Sequence, residues 1–143
     1  MTTTTWNGLS TWLDRYLAEC LGTVTGYEYA PTGQPEGTGT LVTVGFMPEL
    51  EEVVTITGYD FPEHDTGGRT GAVTARVQVR TRAATRTRAL ELAEDASRHL
   101  TNPNLTARLD AVARINLQPL GQAPGGSHEA TSNLLVTTIE RTA

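Results

Sequence analysis

The sequence predicts an α+β fold: a single domain in which a mainly antiparallel mixed sheet carries two helices packed on one face. Three observations lead there. Residues 6–21 and 85–100 repeat apolar side chains at helical spacing. Several shorter runs are β-branched, aromatic or alternating, as strands are. Their order is helix, several strands, helix, two strands. No repeat of fixed period and no dividing linker interrupts residues 1–143, which read as one domain.

Met1 and the four threonines after it form a polar tract, expected to be disordered over residues 1–5. Over residues 6–21, Trp6, Leu9, Leu13, Tyr16, Leu17 and Cys20 make one apolar stripe, with Trp12 beside it. Asn7 or Ser10 suits the start of this helix and Gly22 its stop. Val24, Tyr27 and Tyr29 mark a short strand over residues 23–30, and Pro31, Gly33, Pro35, Gly37 and Gly39 a loop over 31–39. Residues 40–46 read as a strand through Leu41, Val42, Val44 and Phe46. Met47 and Pro48 open a turn with an acidic cluster, Glu49, Glu51 and Glu52, before the strand Val53 to Tyr59. Residues 60–72 lack any hydrophobic period and read as a long mobile loop, a length usually functional or disordered.

Ala72 to Arg82 is the clearest strand, with Ala75, Val77, Val79 and Thr81 alternating with Arg76, Gln78, Arg80 and Arg82. Thr85 to Leu100 is the second helix, its apolar face made by Ala89, Leu92, Ala93, Ala96 and Leu100 and its end marked by Asn102–Pro103–Asn104. Ala113 to Leu117 reads as a strand, Gln118 to Glu129 as a Gly/Pro loop, and Leu134 to Glu140 as the last strand.

A chain of 143 residues can bury a continuous core without a disulfide or a metal, and Cys20, its one cysteine, excludes an intramolecular disulfide. The net charge of −5 argues against a generic duplex-DNA binder. All 11 basic residues are arginine, a side chain suited to bidentate contacts with carboxylates at protein interfaces. No basic region precedes an apolar run after Met1, and no apolar run approaches about 18 residues. Neither a secretory leader nor a membrane span is expected.

The candidates for chemistry are few. His64, His99 and His128 fall on different elements. His64–Asp65 mimics a His–carboxylate dyad, but a working dyad needs a nucleophile on a rigid scaffold, and solvated loop residues are the simpler reading. His99 near a helix C-terminus is explained by the helix dipole, and Cys20 on an apolar stripe by an inert buried thiol. No CxxC, HxxxH or HExxH pattern occurs, and Glu49, Glu51 and Glu52 suit a solvated turn better than a cation site. The glycines of 67–71 and 121–126 build no phosphate cradle. Neither cofactor, metal nor catalysis is expected. Arg76, Arg80, Arg82, Arg86 and Arg88 lack the interleaved aromatics of a nucleic-acid platform. Two readings stay open for them: a solvated outer face, or an interface whose arginine forks meet carboxylates of a neighbouring copy.

Several phrases together resemble one family. Residues 44–60, from Val44–Gly45–Phe46–Met47–Pro48 to Tyr59–Asp60, are similar to the VGxMPxxPDxxVxLTxY stretch of phage minor capsid and tail-terminator proteins, with Glu51 and Glu52 standing where that pattern has Pro-Asp. Val77 to Arg82 resembles its VQVRTRG strand, Arg114 to Gly121 its xxxQxPxxLG segment with a shorter spacing before the glycine, and Ser132 to Ile139 its closing SNYYVTV strand. The resemblance runs from about residue 9 to about residue 140.

That resemblance implies a structural virion protein, assembled in the host cytoplasm, which forms a homo-oligomeric six-fold ring on the head-proximal end of the tail tube. The ring would stop tube polymerisation, contact the tail tube protein and the head-completion or connector proteins, and pass DNA through its lumen without specific binding. A head-completion or stopper protein is the nearest alternative; a single-stranded nucleic-acid-binding module or a small hydrolase using His64–Asp65 is more distant. Within the ring reading, Arg76, Arg80 and Arg82 are expected to meet Glu49, Glu51 and Glu52 across subunits or against the tube. Reversing Arg80 and Arg82 to glutamate is then expected to abolish assembly and leave a folded monomer. Asp60, Glu63, His64, Asp65 and Arg69 belong to the loop expected to dock on the tube or face the lumen, where carboxylates repel phosphate.

Overall fold

Leucines four residues apart make the first helix. In the structure, a computed structural model that describes residues 9–34, 37–61 and 72–139, α1 spans Leu9–Gly22 and buries Leu9, Leu13, Leu17 and Leu21 along one stripe. The chain then turns sharply: Thr23 N–H donates to the Cys20 carbonyl, Val24 N–H to that of Leu21, and Gly26 has φ +99°. These turn residues shorten the expected strand over 23–30 to β1, Tyr27–Tyr29. Next come β2 (Thr40–Val44), β3 (Val53–Asp60), β4 (Ala72–Ala83), α2 (Arg86–Leu100), β5 (Ala111–Gln122) and β6 (His128–Ile139). Gly45, at φ +78°, ends β2 two residues before the expected boundary. Residues 1–8 and 62–71 lie outside the described residues, and with them Trp6, Glu63, His64, Asp65 and Arg69.

The six strands form one mixed sheet in the order β1-β2-β3-β4-β6-β5. The β1–β2 and β2–β3 ladders are parallel; β3–β4, β4–β6 and β5–β6 are antiparallel. α1 lies over β1 to β3, and α2 over β4, β6 and β5. Between the helices and the sheet sits one core, in which Val54, Ile56, Val77, Val79, Leu134 and Val136 meet Leu13, Leu17, Leu92 and Leu100. The two helices cover one face of an α+β sheet, as the helical and alternating periods predict.

α2 begins where Thr85 Oγ1 accepts from Arg88 N–H, a side-chain N-cap. Its small residues bring it close to the sheet. Ser97 Oγ donates to the Ala93 carbonyl and lies 2.5 Å from Ser132 Oγ on β6, and Thr81 Oγ1 on β4 donates to the Ala89 carbonyl, so these buried hydroxyls have partners.

One expected loop is not a loop. Residues 118–129 are largely the two arms of a hairpin whose tip covers 123–127. Pro119 and Gly121 argue for a loop locally, yet β5 is the edge strand, where a proline lacking its N–H is tolerated. Gly121, at φ +90°, sits beside a register shift between Pro119 and Gly121.

Candidate assembly surface

β4 alternates strictly, so its even-numbered side chains point away from the helices. Arg76, Gln78, Arg80 and Arg82 stand in a row on the outer face, with Arg80 in register between Thr55 of β3 and Thr131 of β6, and Arg82 between Val53 and Glu129. The register decides their partner. Glu129, buried to 6% side-chain exposure, is held by both guanidiniums. Arg80 donates Nε and Nη2 to Glu129 Oε1, the Nε contact at 2.7 Å. Arg82 donates Nε at 3.2 Å and Nη2 at 3.0 Å to Oε2. The third nitrogen of Arg82, Nη1, donates to the Pro48 carbonyl at 3.1 Å, tying the β2–β3 connection to the sheet. Burial pushes the Glu129 carboxyl up, but Arg80 and Arg82 outweigh it and hold the group below the ordinary carboxylate range.

The β2–β3 connection folds over the outer face. Met47 and Leu50 pack on Ala30, Leu41 and Val53, forming a second small apolar cluster. Under the same connection, Thr43 Oγ1 and Thr55 Oγ1 lie 2.8 Å apart, and both donate to the Phe46 carbonyl. The three acidic residues of this connection part company. Glu52 turns to α2, where Arg88 donates Nε to it at 3.2 Å and Nη2 at 2.5 Å, and Thr40 Oγ1 adds a third bond. The Arg88 contact holds the Glu52 carboxyl below its ordinary value. Glu49 and Glu51 stay exposed and line an open cleft of about 550 Å³ with Leu50, Arg82, Pro124, Gly125 and Ser127.

The residues expected to meet between copies are therefore placed as follows. Arg80 and Arg82 are engaged by Glu129 of their own chain, and Arg76 Nε lies 3.5 Å from Asp60 Oδ2 at the end of β3. Glu49 and Glu51 face Arg82 across one cleft without an ion pair between them. Reversing Arg80 and Arg82 to glutamate would act first on this pairing. It would set two further carboxylates beside the buried Glu129, straining the fold as well as any interface.

A second polar cluster lies where α2 meets the β1 edge. Tyr27 OH donates to Asp95 Oδ2 at 2.6 Å; Arg98 also pairs with Asp95, and His99 Nε2 lies 3.6 Å from the same oxygen. His99 thus has a local carboxylate and an edge-on contact with the Tyr27 ring, beyond the helix dipole. Burial and Asp95 push the Tyr27 hydroxyl far up, so it keeps its proton and serves as a donor, not as a nucleophile. Burial likewise raises the Cys20 thiol, leaving it protonated at neutral pH.

Glu129, Tyr27–Asp95 and the stack of Arg108 over Trp12, 4.0 Å from the ring centroid, escaped the sequence reading. Their partners are 47 or more residues apart in the chain, and no spacing signal links them. Among the described residues, no group of three His, Cys, Asp or Glu converges as a metal site, and no helix is long and apolar enough to cross a membrane. No protein-family model matches the chain, and no curated protein matches it.

Proposed function

We propose that this chain is a structural subunit of a phage virion, a tail-terminator-like protein that forms a ring at the head-proximal end of the tail tube. The ring ends tube polymerisation and joins the tail to the head. One observation carries this reading: four phrases similar to those of tail-terminator and minor capsid proteins occur in order along the chain, and each falls on a defined piece of the sheet. Val44 to Asp60 covers the end of β2, the connection over the outer face, and β3. Val77 to Arg82 is the half of β4 that leads to α2; Arg114 to Gly121 lies in β5 and Ser132 to Ile139 in β6. Resemblance confined to one loop would carry far less.

The surface also suits such a part. Ring subunits contact two neighbours through head-to-tail faces. At about 800 Å² per partner face, two contacts would cover about a fifth of the 7610 Å² this chain exposes. In this reading the chain has no catalytic duty, and its polar clusters hold strands, helix and connection in one rigid block.

Electron microscopy of particles made by the parent phage with this gene silenced tests the proposal. Overlong tail tubes beside separate DNA-filled heads are expected. Tails of normal length that fail to join heads would move the protein to a head-completion or stopper position. Normal infectious particles would overturn the structural reading.

A further inference from the structure

Four large apolar side chains are exposed among the described residues: Phe46 at 48%, Tyr59 at 50%, Ile115 at 44% and Leu120 at 50%. Two of them share the free edge of β5, and their placement has a common cause. The β5–β6 ladder shifts register twice, between Arg114 and Asn116 and between Pro119 and Gly121. Ile115 and Leu120 are the residues inside those two irregularities. A bulge leaves its extra residue unpaired and re-aims its side chain. Here both re-aimed side chains are apolar and face solvent.

The same bulges, with Pro119, spoil this edge as a template for another strand, which needs a straight row of free N–H and C=O groups. What the edge offers a partner is side chains. Arg114, exposed beside Ile115, forms no ion pair among the described residues.

The complementary surface lies across the sheet. Phe46 projects beside the loop that follows β1, where a Cβ on Gly33 would fall 3.0 Å from its ring. Phe46 follows β2, which lies four strand spacings, or about 19 Å, from β5 in the six-strand order. Glu49, exposed in the same connection as Phe46, pairs with no basic group among the described residues. One edge thus presents apolar knobs beside a cation, and the β2–β3 connection an aromatic ring three residues before an anion. Phe46 and the β5 knobs are too far apart to meet within one molecule; between two they match in kind.

We propose that copies of this chain join head to tail, with Ile115 and Leu120 on the β5 edge of one copy seated against Phe46 of the next. The inference rests on the ring reading above and names its contact. A heterologous joint of this kind repeats from copy to copy and closes when the rotation between copies allows.

Sedimentation of the purified full chain over a range of concentrations, alone and as variants, tests it. Ile115→Asp with Leu120→Asp removes one side of the joint; Phe46→Asp removes the other. These side chains are about half exposed, and circular dichroism is expected to show both variants folded. Each variant alone is expected to be monomeric, while the wild type associates. An equimolar mixture of the two is expected to give dimers, because one intact joint remains between unlike copies. Ile115→Val with Leu120→Met is expected to retain association. If Phe46→Asp still dimerises while the β5 variant does not, the edge meets itself and the head-to-tail contact is wrong. A wild type that stays monomeric at every concentration, or association that survives both variants, also overturns the contact. The tail phenotype of the silenced gene remains a separate test of the terminator reading.

Discussion

Glu129 is the residue on which most of the outer face depends. A carboxylate at 6% exposure is costly to bury unless it is paired and hydrogen-bonded, and Arg80 and Arg82 supply four donors. Removing its charge leaves two guanidiniums facing one another over a desolvated site. Glu129→Gln is expected to lower stability by about 2 kcal/mol, below the full cost of breaking a buried pair because Arg80 is 45% exposed. Urea unfolding followed by tryptophan fluorescence measures it; an unchanged midpoint would show that the pairing contributes nothing net.

The same carboxylate, together with Glu52, sets the response to acid. Both have folded-state values held below the ordinary 4.5, Glu52 by Arg88 and Glu129 by Arg80 and Arg82 against its burial. A depressed carboxyl contributes stability that is fully present above its unfolded value and disappears as pH falls through its folded one. Stability is expected to be flat with respect to these groups from neutral pH down to about pH 5, then to fall as both carboxylates take up protons. Melting temperatures measured from pH 7 to pH 3 check this. The Glu129→Gln variant should lose less over the acid range than the wild type.

Elements are joined here by close approaches that admit no extra atoms. Gly22 closes α1 where β1 passes against it. A Cβ at this position would sit 2.7 Å from Tyr29 Cβ and 3.1 Å from Tyr29 N, both inside normal contact. Gly22→Ala is therefore expected to push α1 off β1 and cost about 1 to 3 kcal/mol, although alanine favours a helix intrinsically. A thermal melt of the variant reads the sign directly: stabilisation would mean that helix propensity outweighs the clash. Glycine at this place reads in the sequence as a helix stop, which is right, but its packing role depends on where β1 runs.

The hairpin of β5 and β6 teaches the opposite lesson. Local residue chemistry, with Pro119, Gly121, Pro124, Gly125 and Gly126 in close succession, reads as a loop from residue 118 to residue 129. Only 123–127 behaves that way. A twelve-residue β6 pairs on both sides, with β4 and with β5, and that pairing carries β5 through a proline and two register shifts. Long-range ladders override turn propensity when the offending residues can sit at a free edge.

For the whole molecule, charge frames the expected partners. The chain carries −5 at neutral pH, and Arg76, Arg80, Arg82, Arg88 and Arg98 all pair with carboxylates of the same chain. Among the described arginines, Arg86, Arg108 and Arg114 form no ion pair, and Arg108 stacks on Trp12. Fluorescence anisotropy with single- and double-stranded oligonucleotides is expected to show no binding at physiological salt, as the proposed ring, with DNA passing through it, would require. Binding that weakens steeply with added salt would revive the nucleic-acid-binding alternative.

The periods of 3.6 and 2 placed α1, β4 and α2 within a few residues, because each rests on side chains close in the chain burying one face, and β-branched composition placed β3. From those elements the α+β class follows. The basic row on β4 and the acidic turn before β3 were also legible as surface features. Their partners were not. Whether Arg80 meets a neighbouring copy or its own Glu129 is a question of register between strands 49 residues apart. The strand order that puts β5 and Phe46 on opposite sides likewise comes from pairings that no local pattern encodes. Local periodicity records which face of an element is buried; only the folded sheet decides which charges, far apart in the chain, come within reach of one another.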